Sequence, residues 1–254
     1  MLRDGTIVQA PQLDRLRQFD ELSRSYTIND LVGDTSPLIR RSWRLARNRY
    51  LDQLKWGACV STGIGHELMA QPFAIGGVTF DSVRECIYFT AQRNDPWPGG
   101  EYPGASPNGG GTSVLEGLKA ARALGCFDGF SWAFSIDEAL RGLVWQGTLI
   151  IGIDWAWSMF EPRPSGLLEV SGSDAGGHCV DVTEFYPNLK LPGEGSLGPC
   201  VGIAQSWGLG HGDRGRVYMR VPDLEDRLSR GGEAAVITGR KAVRWRTVCR
   251  PEQV

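Results

Sequence analysis

The spacing of apolar positions along the chain changes near Gly147. Before it, the runs Val60 to Met69, Asp81 to Ala91, Ser113 to Leu124 and Ser135 to Gln146 repeat apolar side chains every three to four residues, the period of a helix. After it, LIIGIDW, HCVDVTEF, VGIAQSW and RVYMRV are short β-type runs separated by turn residues. The pattern predicts one late surface helix over Val221 to Leu228 and a closing strand pair over Ala234 to Val248. Residues 36–70 open with Arg and Leu at helical spacing, and NDPWPGGEYPGASPNGGG between the second and third helices must be a loop. Helices first and strands second describe an α+β chain of two lobes. The expected division is a lead segment 1–35 with a short amphipathic stretch from Leu13 to Leu22, a helical lobe 36–135, and a strand-rich lobe 136–254.

Composition narrows the function classes. The 254 residues are 41% hydrophobic and 22% charged, too apolar for a disordered chain. A net charge of −2 gives no electrostatic reason to expect nucleic acid or anionic membrane as a partner. The most apolar stretch, Leu143 to Phe160, is broken by Gly147, Gly152 and Asp154, so no membrane span is expected. The charged N-terminus lacks the apolar core of a signal peptide, which points to a cytoplasmic protein. The six cysteines form no CxxC pair and no metal-like cluster with histidine, so neither metal nor cofactor is expected. In a reducing compartment all six should be free thiols, with Cys86, Cys126 and Cys179 buried in apolar surroundings. The 23 Arg against 4 Lys read as the mark of a GC-rich genome.

Three histidines allow each to be weighed. His66 belongs to the helix after Cys59, and His211 lies among glycines in an expected exposed turn. His178 follows Gly176-Gly177 and opens a buried strand, a position that holds a ring rigidly while facing a cleft. A lone histidine is more often structural than catalytic, but the neighbours change the balance. Cys59 at a helix N-terminus has its thiolate favoured by the helix dipole and a nearby imidazolium. Gln53, six positions earlier, offers an amide donor that joins the Cys59 N–H around a developing oxyanion. Gln205 can accept from the far nitrogen of His178 and fix its tautomer, with Trp207 covering that bond. Nucleophile, base, orienting group and oxyanion donor together make an acyl-transfer site. Asp174 and Asp181 read as turn and rim groups, and Trp132, Trp145, Trp155 and Trp157 as core or lobe-interface anchors.

These blocks resemble the papain-like cysteine peptidases. Gln53, Gly57, Ala58 and Cys59 match the family's nucleophile block, and Gly177-His178-Cys179-Val180 is similar to its histidine block. Gln205-Ser206-Trp207-Gly208 resembles its Asn-Ser-Trp-Gly block, and Asn108-Gly109-Gly110 its substrate-binding glycine stretch. The similarity runs over roughly residues 48 to 220, in the order Cys, His, amide. It implies a helical lobe, a barrel-like strand-rich lobe and an active cleft between them. It also implies catalysis by Cys59, His178, Gln205 and Gln53, substrate binding by Gly109, Gly110, Gly177 and Trp207, and a peptide or protein as partner. Oligomeric state stays open.

The departures are specific. Gln205 replaces Asn and is one methylene longer. Trp56 stands where the family's disulfide-forming Cys precedes the nucleophile, and Val60 replaces an aromatic. No long charged helical prosegment is visible before Cys59, which suits a bacterial or phage-type member. Two readings follow: a thiol hydrolase working through a Cys59 acyl-enzyme, or a catalytically silent member serving as a binding or structural component, for example of a virus particle. A cell-wall peptide amidase with the same cysteine chemistry lies between them.

Overall fold

Ten residues, Cys59–Leu68, form α1, and every one of them is buried. A helix enclosed on all sides has no solvent-facing stripe, its polar Ser61, Thr62 and His66 are hydrogen-bonded internally, and its two glycines allow close approach. A Cβ at Gly63 would lie 3.4 Å from Cys179 Sγ, and one at Gly65 would lie 2.7 Å from the Leu51 side chain. These contacts belong to a computed structural model that describes residues 2–5, 10, 13–33, 35–45 and 49–250.

Around α1 pack α2 (Phe80–Val83), a π turn at Arg84–Tyr88, α3 (Phe89–Asn94) and α4 (Val114–Ala123). Each start has a chemical cause. Thr79 and Ser82 cap α2 reciprocally, and the Ser113 hydroxyl accepts the Glu116 N–H at the start of α4. The next helix, α5 (Ile136–Trp145), is capped by Ser135 and carries Asp137 and Glu138 in its first turn.

The strands are β1 (Arg41–Ser42), β2 (Gly129–Trp132), β3 (Leu149–Ala156), β4 (Asp174–Tyr186), β5 (Lys190–Leu191), β6 (Gly195–Ser196), β7 (Cys200–Ala204), β8 (Arg216–Arg220) and β9 (Glu233–Thr238). The main sheet is antiparallel in the order β2-β9-β3-β4-β7-β8, with β1 paired to the end of β4, while β5 and β6 form a separate ribbon. It is an open sheet and not a closed barrel. Alternation sorts its side chains: Ile150, Ala235 and Ile237 join the core around α1, while Leu149, Ile151, Ile153 and Trp155 join the core against α5. Two helices complete the chain, α6 (Val221–Ser229) and α7 (Trp245–Val248).

Several sequence expectations give way to tertiary contacts. The Arg and Leu spacing after residue 36 yields β1 and extended chain instead of a helix, and residues 46–48 lie outside the described set. Only β9 forms in Ala234 to Val248, because Trp245 turns inward, donates to Ser82 Oγ at 2.7 Å, and α7 follows. Cys249, four residues on, forms a disulfide with Cys86, so the expectation of six free thiols is wrong. Cys126 and Cys179 are buried thiols as expected. Asp181 is enclosed in β4 and is no rim group, whereas Asp174 is exposed and pairs with Arg227. Trp132 and Trp155 are core residues, but Trp145 and Trp157 reach solvent. Among the described residues no helix is long and apolar enough to cross a membrane.

Candidate active site

Cys59 is the first residue of α1, so its sulfur sits where the helix dipole is positive. The helix lies on β4, which brings the thiol against the backbone of Cys179, the residue after His178. Burial pushes the Cys59 thiol up to about 12, and negative charge on Asp14 adds to it. Backbone groups of Cys179 and Asp14, together with the Arg15 cation, act in the opposite direction. The resting thiol therefore holds its proton because its surroundings are dry.

His178 is buried in β4 opposite Ile153 of β3. Its Nε2 lies 2.8 Å from Gln205 Oε1. That oxygen also accepts the Ser206 N–H at 2.9 Å, which fixes the amide with oxygen toward the ring. An oxygen facing Nε2 requires the proton on Nε2 and leaves Nδ1 as the basic nitrogen. Trp207 stacks on the imidazole with ring centres 4.9 Å apart, and Trp155 meets the same ring edge-on at 5.0 Å. His211 is not an exposed turn residue: its ring packs edge-on against Trp207 at 4.7 Å and its Nε2 lies 3.1 Å from the Phe160 carbonyl. His66 is spent on structure, accepting the Leu51 N–H at 2.8 Å, and burial lowers it to about 3.

Gln53 reaches the site through backbone pairing. Its N–H donates to the Ser206 carbonyl, Asp52 bridges Trp207, and Gly208 N–H donates to Leu51 O. The segment before Cys59 is thus zipped to the segment after Gln205. Gln53 Nε2 donates to Trp56 O at 2.9 Å, closing the turn that leads into Gly57 and Cys59.

The glycines expected to bind substrate backbone already face peptide, and it is the chain's own. Arg15 N–H donates to Gly177 O at 3.0 Å, and Leu16 N–H donates to Thr112 O at 3.0 Å. A Cβ at Gly110 would lie 3.3 Å from Asp14 Oδ1, and one at Gly57 would lie 2.9 Å from Asp14 Cγ. Gly109 meets Arg3 instead of Asp14. Arg3 pins the start of this segment through a two-pronged pair with Asp95 at 2.8 and 2.6 Å. Residues 13–16 therefore run as an extended strap across the candidate site, between Gly177 and the glycine stretch, with Asp14 beside Gly57 at the start of α1. Burial and the negative Glu101 raise Asp14 to about 8.

Searches with family models and against curated proteins find no match to the sequence. Solved structures do match. Xylellain, a cysteine protease from Xylella fastidiosa, superposes with a TM-score of 0.62 over 93% of this chain and 99% of its own, at 12% identity. The proform of Amb a 11, a ragweed pollen cysteine protease, gives 0.57 over 90% and 77% at 11% identity. A structure from a study of the mite allergens Blo t 1 and Der p 1 gives 0.56 over 92% and 79% at 17% identity. The chain has the papain-like cysteine protease fold. At such identities the likeness concerns the fold alone.

Within this papain-like frame, several site residues carry no sequence signal of their own. Glu101 Oε2 accepts the Gly57 N–H at 3.0 Å and the Tyr88 hydroxyl at 2.6 Å. Tyr88 in turn accepts the Gly111 N–H, and Gln92 Nε2 donates to Gly111 O at 3.0 Å. This network ties the turn before Cys59 to the glycine stretch, so the long Gly/Pro loop borders the candidate site. Asp14 and Arg15 were equally hidden, since only long-range pairing reveals an extended occupant.

Proposed function

We propose that the chain is a thiol peptidase that hydrolyses peptide or related amide bonds. The observation that carries this reading is the pairing of His178 Nε2 with Gln205 Oε1 on the strand flanking the Cys59 helix. Cys59 Sγ gives its proton to His178 and attacks the carbonyl carbon. The oxyanion takes hydrogen bonds from the Cys59 N–H and the Gln53 amide. Collapse expels the amine, which receives the proton from His178, and leaves a thioester on Cys59. Water, deprotonated by His178, then releases the acid and restores the thiol.

One observation favours a second reading, a silent binding or structural protein: Cys59 is wholly buried beneath Asp14. Labelling with an epoxide warhead, read by intact mass, separates the two. The peptidase reading expects one adduct, at Cys59, slow in the wild type and absent from Cys59→Ala and His178→Ala. No adduct at Cys59, even when Arg15→Glu weakens the strap, would give first place to the silent protein.

A further inference from the structure

The strap places its side chains alternately on the two walls of the cleft, as an extended segment must. Asp14 and Leu16 face the glycines of the helical side, Gly57, Gly110 and Gly111. Arg15 and Arg17 face the sheet. The Arg15 side chain is fully enclosed, with Nη1 3.8 Å from Glu233 Oε1 and Nη2 4.0 Å from Asp154 Oδ1. Arg17 also pairs with Asp154 but stays half exposed.

The pocket that takes Arg15 is shaped for it. Gly152 is the one residue without a side chain in the apolar run of β3, and its register partner in β9 is Glu233. A Cβ there would lie 2.9 Å from Arg15 Nε and 2.8 Å from Glu233 Oε1. Gly152 and Asp154 share the α1-facing side of β3, so the pocket extends that face past the end of the core. A glycine in a strand centre weakens the strand, and here it marks the close approach of an occupant.

The occupancy is also incomplete. Arg15 Nε, Nη1 and Nη2 are buried with no hydrogen-bond partner among the described residues, and so is Glu233 Oε1. A structural arginine of the core satisfies its five donors, because each one left dry is costly. Arg15 instead lies on a strap that covers the candidate nucleophile and leaves the carboxylates at ion-pair distance only. That is the fit of a removable occupant.

We infer that Gly152, Asp154 and Glu233 form a substrate subsite for an arginine side chain, held in the resting chain by Arg15. The subsite rests on the peptidase reading of the cleft. Arg17 extends the preference to peptides with arginine at alternate positions, since both side chains reach Asp154 from one face of the strand. The resting chain is then self-occupied, and a basic peptide competes with the strap for the same carboxylates.

The test measures binding apart from catalysis. In the full chain carrying Cys59→Ala and Arg15→Glu, the strap loses its cation and no peptide is cut. A fluorescent peptide Leu-Asp-Arg-Leu-Arg and its Leu-Asp-Ala-Leu-Arg counterpart are titrated by anisotropy at mildly alkaline pH, because burial raises the Glu233 carboxyl and the Arg15 cation that opposes this is gone from the variant. The arginine peptide is expected to bind about tenfold tighter, and adding Glu233→Gln should reduce the difference to about threefold or less. Arg15→Ala replaces Arg15→Glu if the latter does not fold. Equal affinity of the two peptides, including no binding of either, or a difference untouched by Glu233→Gln, overturns the subsite. Discrimination that persists while the chain with Cys59 intact neither labels nor hydrolyses sinks the peptidase reading and leaves the subsite standing.

Discussion

Gln205 Oε1 sits 2.8 Å from His178 Nε2 although its side chain is one methylene longer than the asparagine of the sequence block it resembles. The Gln205 N–H is held by the Gly215 carbonyl, which fixes the backbone from which the side chain reaches the ring. Shortening the residue therefore opens a gap of about 1.5 Å. Gln205→Asn should lower kcat/KM, and Gln205→Ala should lower it by about 10- to 100-fold while Cys59 labelling remains detectable. An asparagine variant faster than wild type would mean that Gln205 silences the site.

In the proposed mechanism Gln53 acts on the oxyanion and not on the thiol. Gln53→Ala should cost about 2–4 kcal/mol of transition-state stabilisation, seen in kcat/KM for a fluorogenic peptide. The rate of Cys59 alkylation by a small reagent should change little. A parallel loss in both would place Gln53 in positioning Cys59.

Asp14 makes the strap pH-dependent. Its carboxyl ionises near 3.8 when released and near 8 when seated, because burial and Glu101 oppose the charge. The seated state therefore holds a proton that the released state loses, so strap seating weakens as pH rises from about 4 to about 8. Limited proteolysis within residues 13–17 should accelerate over that range in the wild type and stay flat in Asp14→Asn. Superimposable profiles for the two would refute the assignment.

The disulfide makes a countable prediction. Thiol titration of the denatured, unreduced chain should find Cys59, Cys126, Cys179 and Cys200 only. Cys249→Ser should lower the unfolding free energy by about 2–5 kcal/mol, read from the urea midpoint, because the bridge closes a long loop. A count of six thiols would restore the reducing-compartment expectation.

The helices after Cys59 and the strands after Gly147 were legible because each depends on its own apolar period. The contact of His178 with Gln205 was legible because their blocks resemble a known pair and fall in order along the chain. The strap was not, since the amphipathic spacing from Leu13 to Leu22 forms no helix over Leu13 to Arg17, where the chain pairs instead with Gly177 and Thr112. The fate of the last segment was hidden for a related reason: Trp245 and Cys249 are drawn to Ser82 and Cys86, far back in sequence. Glu101 looked like one charge in a Gly/Pro loop, and only its bonds to Gly57 and Tyr88 give it a place in the cleft.

The pairing of residues 51–53 with 206–208 has a mechanical consequence. Were the two halves to swing apart like a book, these bonds would be the first to shear, taking Gln53 away from Ser206 and the loop beside His178. Gln53 and His178, the oxyanion donor and base of the proposed mechanism, would then separate. The pairing thus rivets that end, and in the proposed mechanism a peptide would enter by peeling a ribbon of the chain, residues 13–16, from a fixed trough.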